Sequence, residues 1–592
     1  MPLSLLNRML AERDVPSLMD TALGKIPADL VVVNARLLNV YSGEILSDTA
    51  VAVKNGWIAA TGTLAPGTIG SETRIIDAAG QTLIPGFIEG HTHLATLMTP
   101  DYFIPHAIRH GTTTIITETM ETYPVAGLEG VMDFLSCIRH QPITMLATAP
   151  ALASISPAGS RMSLEDLRTV LDHEAVIGLG ESYWQAVMKE PSQYLDRFRE
   201  ALLRDQVLEG HSAGAGGAKL MAYAATGVSS CHEAISAQDA LDRLRLGITV
   251  MIREGSIRRE LAAISAIAKQ SVSCRRLVLV TDGVNPLHLL QDGYLDAIVQ
   301  RAIDLGFPPI DAVRMATLNV AEHFQIDAVV GGIAPGRQAD LVLIPEPDCI
   351  RPRLVIARGT LLWEEGKDLP EVQRHAFSDS SRHTVRLGAS PIDASRFRID
   401  APPTVSEVKV RVMNLITELV TKEAHESMPV VQGQVCSDPS RDIAKVAAID
   451  RRYSPGKTAV GFIRGFGLRS GAFATSAAWD TTDIVVVGAT DADMASAVRR
   501  IHELQGGFVV CDQGKVLAEL ALPVMGLMAQ EPAQAIREKM DAVTAAVHAL
   551  GSKLSDPMLT LTTLTTAAIP YLRICEEGLF DLKSGRFLDV CL

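Results

Sequence analysis

Residues 82–93 read Thr82-Leu-Ile-Pro-Gly-Phe-Ile-Glu-Gly-His91-Thr-His93. The apolar start has the character of a strand, and in a strand residues i and i+2 point to the same side. His91 and His93 can therefore aim two imidazoles at one ion. A lone His-x-His occurs by chance on surface strands, so its weight depends on further ligand-type residues elsewhere in the chain. Gly178-Leu-Gly-Glu181, Glu209-Gly-His211, Val228-Ser-Ser-Cys-His232 and Val278-Leu-Val-Thr-Asp282 each close a short apolar run with such a residue. Over residues 84–325 these runs alternate with helical patterns, for example Ser163 to His173 and Ala237 to Leu246. The alternation predicts an α/β fold, most simply a TIM-like (β/α)8 barrel, with a doubly wound open sheet as the structural rival. In a barrel all C-terminal strand ends meet on one face, where catalytic residues collect.

Four imidazoles (His91, His93, His211, His232) and two carboxylates (Glu181, Asp282) suit a borderline divalent ion such as Zn²⁺, Mn²⁺ or Fe²⁺. Six ligands exceed one tetrahedral site, which points to two ions bridged by Glu181. Ions of this kind lower the pKa of bound water. Asp282 is then placed to accept that proton and deliver it to a leaving group. Glu233, beside His232, is a candidate proton donor to a substrate ring, and Glu121 a candidate substrate contact. Trp479 is expected in the core rather than over the site. Ser212-Ala-Gly-Ala-Gly-Gly-Ala-Lys219 lacks the spacing of a phosphate loop and reads as the turn after His211.

Outside residues 84–325 the pattern changes. Ala28-Asp-Leu-Val-Val32 is echoed by Ala339-Asp-Leu-Val-Leu343, and Asn55-Gly56 and Arg358-Gly359 each separate two strand-like runs. Asn-Gly in that setting is a strong hairpin signal. Residues 1–83 and 326–365 are therefore expected to form one composite β-sandwich around the inserted barrel. Residues 366–404 read as a linker. Residues 405–592 read as a C-terminal α+β domain with helices at about Asp491 to Leu504, capped by Thr490, and about Pro532 to Leu550.

Composition limits the partners. The chain has 592 residues, with 54 Lys plus Arg against 68 Asp plus Glu, a net charge of −14. An acidic balance lacks the basic footprint of nucleic-acid binding, and no apolar run is long enough to span a membrane. Eight cysteines without a Cys-x-x-Cys pair exclude a zinc finger and fit a reducing, cytoplasmic setting. The N-terminal apolar residues are interrupted by Arg8, Glu12, Arg13 and Asp14, unlike a signal-peptide core.

Pro85-Gly-Phe-Ile-Glu-Gly-His-Thr-His93, with the later histidines and Thr281-Asp-Gly283, resembles the amidohydrolase superfamily. More closely, the chain resembles its bacterial adenine deaminase family. The likeness runs through Gly227-Val-Ser-Ser-Cys-His-Glu233, Val250-Met-Ile-Arg-Glu-Gly-Ser256 and Met315-Ala-Thr-Leu-Asn-Val-Ala-Glu-His-Phe324. It reaches the third domain at Gly465-Phe-Gly-Leu468 and Asp556-Pro-Met-Leu559. It implies a sandwich–barrel architecture, a binuclear centre with Mn²⁺ preferred over Fe²⁺ or Zn²⁺, and deamination of adenine to hypoxanthine and ammonia. A homodimer is expected by the general symmetry of large enzymes. Four segments depart from the family pattern. Glu118-Thr-Met120-Glu121 replaces Asp-Pro-His-Glu, and Gly283-Val284-Asn285 replaces Asp-Arg-His. Ser182-Tyr183-Trp184-Gln185 replaces Met-Asn-x-Pro-Gly, and Ala478-Trp479-Asp480-Thr481-Thr482-Asp483 replaces Ala-His-Asp-Ser-His-Asn. An alternative therefore stands beside adenine: the same metal hydrolase chemistry on another purine, N-heterocycle or cyclic amide.

Overall fold

Asn55 and Gly56 take φ of 51° and 81°, the positive pair that a two-residue hairpin turn requires. They join strands Glu44–Lys54 and Trp57–Gly62. Arg358 and Gly359, at φ of 50° and 72°, repeat the device between Leu354–Ala357 and Thr360–Glu364. The two turns touch: a Cβ on Gly359 would stand 2.8 Å from the Gly56 Cα. The structure is a computed structural model that describes residues 5–159, 162–402 and 404–592.

The two segments flanking the barrel share one eight-stranded sheet. Thr82–Pro85 lies within it, parallel to Leu30–Asn39 on one side and antiparallel to Leu341–Ile344 on the other. Ile58 at one end of the strand order and Ile356 near the other end share a core with Val51, Leu83 and Leu341, so the sheet wraps on itself.

Eight parallel barrel strands follow: β1 (Phe87–Thr92), β2 (Thr112–Thr117), β3 (Thr144–Ala149), β4 (Val176–Tyr183), β5 (Val207–His211), β6 (Ser230–Cys231), β7 (Thr249–Arg253) and β8 (Leu277–Val280). Five pair in the order β5-β4-β3-β2-β1 and three in the order β6-β7-β8. The two arcs meet through isolated hydrogen bonds instead of ladders. Ser229 N–H reaches Leu208 C=O at 2.9 Å, and Asp282 N–H reaches His91 C=O at 3.0 Å. Toward the strand starts, Ile88, Ile116, Leu146, Ile177, Val207 and Met251 pack together. This apolar layer lies beneath the rim that carries His91, Glu181, His211 and Asp282. Apolar side chains filling a barrel interior in layers is the general rule for this architecture.

The C-terminal domain is a nine-stranded sheet with helices Asp491–Leu504 and Ala533–Ala549. Thr490 Oγ1 accepts from Asp493 N–H at 3.2 Å, a conventional N-cap. Pro532 occupies the cap position of the second helix, one residue outside the first turn expected for it. The domain is fastened to the barrel mouth. Met528–Ala529 pairs in parallel with Leu97–Met98, and Arg452 Nη1 donates to Val125 C=O at 2.8 Å. Of the expected linker, the stretch around His375 to Ser381 lies against helix Thr122–Arg139, where Asp133 accepts from Ser378 N–H at 2.9 Å and pairs with His375 Nε2 at 2.7 Å, whereas Val385, Leu387 and Phe397 are buried in the core of the C-terminal domain. No helix among the described residues is long and apolar enough to cross a membrane.

Candidate active site

The structure brings all the sequence-predicted site residues to the C-terminal rim of the barrel. His91 comes from β1 and His93 lies just beyond it. Glu181 is in β4, His211 ends β5, and His232 and Glu233 follow β6. Asp282 follows β8 and takes a positive φ of 58°, a conformation that Asp tolerates better than most residues. Its Oδ1 stands 3.3 Å from His91 Nε2 and 3.2 Å from His93 Nε2. Glu181 Oε2 lies 2.9 Å from His232 Nε2, and His211 Nε2 lies 3.2 Å from Glu233 Oε1.

Three overlapping groups bring one donor atom per residue within coordination reach: His91, His93 and Asp282; His91, Glu181 and His232; His211, His232 and Glu233. His91 Nε2 and Glu181 Oε2 are buried without a hydrogen bond. Buried polar atoms are normally paired, and each exception calls for a cause such as an ion. Imidazole nitrogens and carboxylate oxygens gathered in this way fit a borderline divalent metal.

Two further carboxylates stand behind the histidines. His93 Nδ1 contacts Glu121 Oε1, and His91 Nδ1 lies 3.7 Å from Glu118 Oε1. Glu121, expected to meet substrate, turns its oxygen onto the far nitrogen of His93. A carboxylate at Nδ1 fixes an imidazole's tautomer and orientation and leaves Nε2 for a metal. Glu118 reaches its place because Gly180 has no side chain: a Cβ there would sit 2.1 Å from Glu118 Oε2. Glu181 N–H also donates to Glu118 Oε1 at 3.2 Å.

Arg253, at the end of β7, is the functional residue that the strand-end reading passed over. It is 5% exposed. Its Nη1 contacts Glu233 and lies 3.3 Å from Asp282 Oδ2, while its Nε lies 3.3 Å from Glu260 Oε2. The available signal was a cation ending a strand whose neighbours end in acids and histidines.

Electrostatics divides the acids into two kinds. Burial pushes the Glu118 carboxyl up. Burial acts the same way on Asp282, but the His91 and His93 imidazoles beside it hold it well below the usual carboxylate range. Glu233 is likewise held low against burial, by His211 and Arg253. His211 is pushed up to about 9, its burial outweighed by the Glu233 carboxylate. His232 is lowered by burial and by the His91 ring stacked 4.2 Å away. Asp282 and Glu233 are therefore carboxylates held in the charged form on either side of Arg253.

The rim opens into a cavity of about 560 Å³ whose far wall is the C-terminal domain. Trp479, expected in the core, lines this cavity, as do Met120 and Val284. Tyr183, beside the His211 ring at 4.4 Å, donates from its hydroxyl to Asp480 Oδ1 at 3.2 Å.

A model of the amidohydrolase family matches residues 82–359, and a model of the adenine deaminase C-terminal domain matches residues 418–586. The chain is 36% identical over 582 residues to an adenine deaminase of Moorella thermoacetica, covering 97% of each. It is 36% identical over 587 residues to adenine deaminase 3 of Rhizobium meliloti, covering 97% of this chain and 98% of the relative. A solved β-aspartyl dipeptidase from Fervidobacterium islandicum AW-1 overlays 59% of this chain and 98% of its own at 16% identity and a TM-score of 0.46.

Proposed function

This chain belongs to the adenine deaminase family, and on that premise we propose that it deaminates adenine hydrolytically to hypoxanthine and ammonia. The observation that carries the reading is the convergence of four imidazoles with the Glu181 and Asp282 carboxylates beneath a cavity closed by the family's C-terminal domain. Two divalent ions, Mn²⁺ in preference to Fe²⁺ or Zn²⁺, would be held by His91, His93, Glu181, His211, His232 and Asp282. Bound there, such ions would supply Lewis acidity and lower the pKa of water.

The chain's own groups account for the protons. Asp282, an anion, takes one proton from the attacking water and passes it to the amine leaving C6. Glu233, the anion across Arg253, carries the water's other proton to N1. The two hydrogens of water thus end on ammonia and on N1 of hypoxanthine. Arg253 keeps the two carboxylates at a fixed separation. Glu121 holds the His93 ring with Nε2 forward, and the Glu118 carboxyl stands behind the His91 ring.

A second reading keeps the same centre and changes the substrate to another purine, N-heterocycle or cyclic amide. It is favoured by the apolar Met120, Val284 and Trp479 side chains around the cavity. A homodimer working in the cytoplasm belongs to the same proposal, supported by the symmetry habit of large enzymes and by the sparse, unpatterned cysteines.

The test is ammonia release from adenine by Mn²⁺-loaded protein against a chelated control, with hypoxanthine followed in parallel. Metal-dependent release of both products is expected, and Asp282→Asn should lower kcat/KM by about 10²–10⁴-fold, the usual worth of a proton-transfer group. No ammonia from a metal-replete protein would overturn adenine as substrate.

A further inference from the structure

We propose that the site takes an aminopurine bearing an apolar or aromatic group on its imidazole edge, and that Trp479 is the wall that receives it. This rests on the deaminase reading above and narrows its substrate class.

The ligand cluster and the wall opposite it differ in polarity. The floor carries His93, Glu181, His211, His232, Arg253 and Asp282, all from barrel strands or the turns directly after them. Facing them, the C-terminal domain presents Leu419, Trp479, Phe508, Met558, Ile569 and Pro570. The acids on that wall are already engaged. Asp480 Oδ2 accepts from Thr566 Oγ1 at 2.6 Å and Ala567 N–H at 2.9 Å. Asp556 Oδ1 accepts from Leu559 N–H at 2.9 Å, capping its own helix.

Trp479 is only partly buried, and its backbone is pinned on both sides. Its N–H donates to Thr562 C=O at 3.2 Å, and its C=O accepts from Thr565 Oγ1 at 2.6 Å. The indole therefore springs from a fixed stretch of backbone and borders the open cavity. Aromatic side chains favour offset or edge-on contact with another ring.

Size agrees. A cavity of about 560 Å³ lies within the roughly 300–1,000 Å³ that accommodates drug-sized ligands, more than a bare purine base fills. In a purine, N9 lies across the ring system from the C6 amine, which has N7 beside it. Seating C6 against Asp282 with N9 away from the ligand cluster brings N9 to the apolar wall. An apolar group there removes apolar surface from water at both partners. A ribose in the same place would bring hydroxyls to a mainly apolar wall whose two acids are already engaged, and unpaired polar groups are costly to bury.

The experiment compares kcat/KM for adenine, 9-benzyladenine and adenosine on Mn²⁺-loaded protein, reading ammonia and the matching hypoxanthine, with the wild type set beside Trp479→Ala. 9-Benzyladenine should equal or exceed adenine, and adenosine should fall at least about tenfold below it, on the scale by which pockets discriminate such groups. Trp479→Ala should cost 9-benzyladenine at least about tenfold while adenine changes far less. Metal content and thermal unfolding of the variant establish that it is folded and loaded. Adenine turned over with 9-benzyladenine more than about tenfold slower would overturn the inference and leave the deaminase reading intact. An unchanged 9-benzyladenine rate in the variant would also overturn it. No ammonia from any of the three would overturn both.

Discussion

The Tyr183 hydroxyl donates to the Asp480 carboxylate at 3.2 Å, joining the strand that carries Glu181 to the domain that roofs the cavity. The same Tyr183 ring lies against His211. One side chain thus touches the ligand cluster with its face and the roof with its tip. Tyr183→Phe keeps the ring contact and removes the bond. It should cost about 1 kcal/mol of stability, the net worth of an ordinary hydrogen bond, with KM affected more than kcat. Asp480→Ala also strands the Thr566 hydroxyl and the Ala567 N–H, and it should cost more, about 1–3 kcal/mol. Thermal unfolding and steady-state kinetics on both variants check the order.

Glu121→Ala removes the carboxylate behind His93 without touching any candidate ligand. Loss of such an outer partner typically weakens metal binding about 10–100-fold. Competition with a chromophoric chelator reads this directly, and unchanged affinity would count against the orienting role.

Arg253→Met leaves Glu233, Asp282 and Glu260 facing one another in a buried setting. Removing one partner of a buried charge cluster costs about 3–5 kcal/mol, so urea unfolding should show a loss of that size. Arg253→Lys, which keeps the charge and loses the fork, should fall between the wild type and the Met variant.

Asp340 gives a pH prediction away from the active site. Burial pushes its carboxyl up to about 6 from an ordinary 3.8, against hydrogen bonds from Arg358 N–H and Gln338. A raised folded-state value means the ionised form opposes folding above pH 6. That penalty is relieved as pH falls from about 6 toward 3.8. The Tm of the wild type, measured relative to Asp340→Asn, should therefore rise between pH 7.5 and pH 5.

Much of this was readable along the chain. Period-two alternation exposes His91 and His93, and Glu181, His211 and Asp282 each follow an apolar run. The paired hairpin turns at Asn55-Gly56 and Arg358-Gly359 were equally local. What escaped was whatever depends on distant contacts. Glu118 takes its meaning from Gly180 in another strand, and Glu121 from the far nitrogen of His93. Arg253 ends its strand like its neighbours but carries the charge opposite to a ligand's. Trp479 is ambiguous in any linear reading, because core and cavity wall both take an indole. Only the docking of the C-terminal domain on the barrel mouth decides between them.

Thr82–Pro85 and Leu341–Ile344 are adjacent antiparallel neighbours in the wrapped sheet, although the whole barrel lies between them in sequence. The barrel is thus a closed excursion whose two ends are stitched together outside it. Its first strand leaves that stitch only a few residues before His91. Each end of the excursion is held from both sides, Thr82–Pro85 also by Leu30–Asn39 and Leu341–Ile344 also by Leu354–Ala357. The wrapped sheet thereby anchors the point from which the first ligand strand sets out.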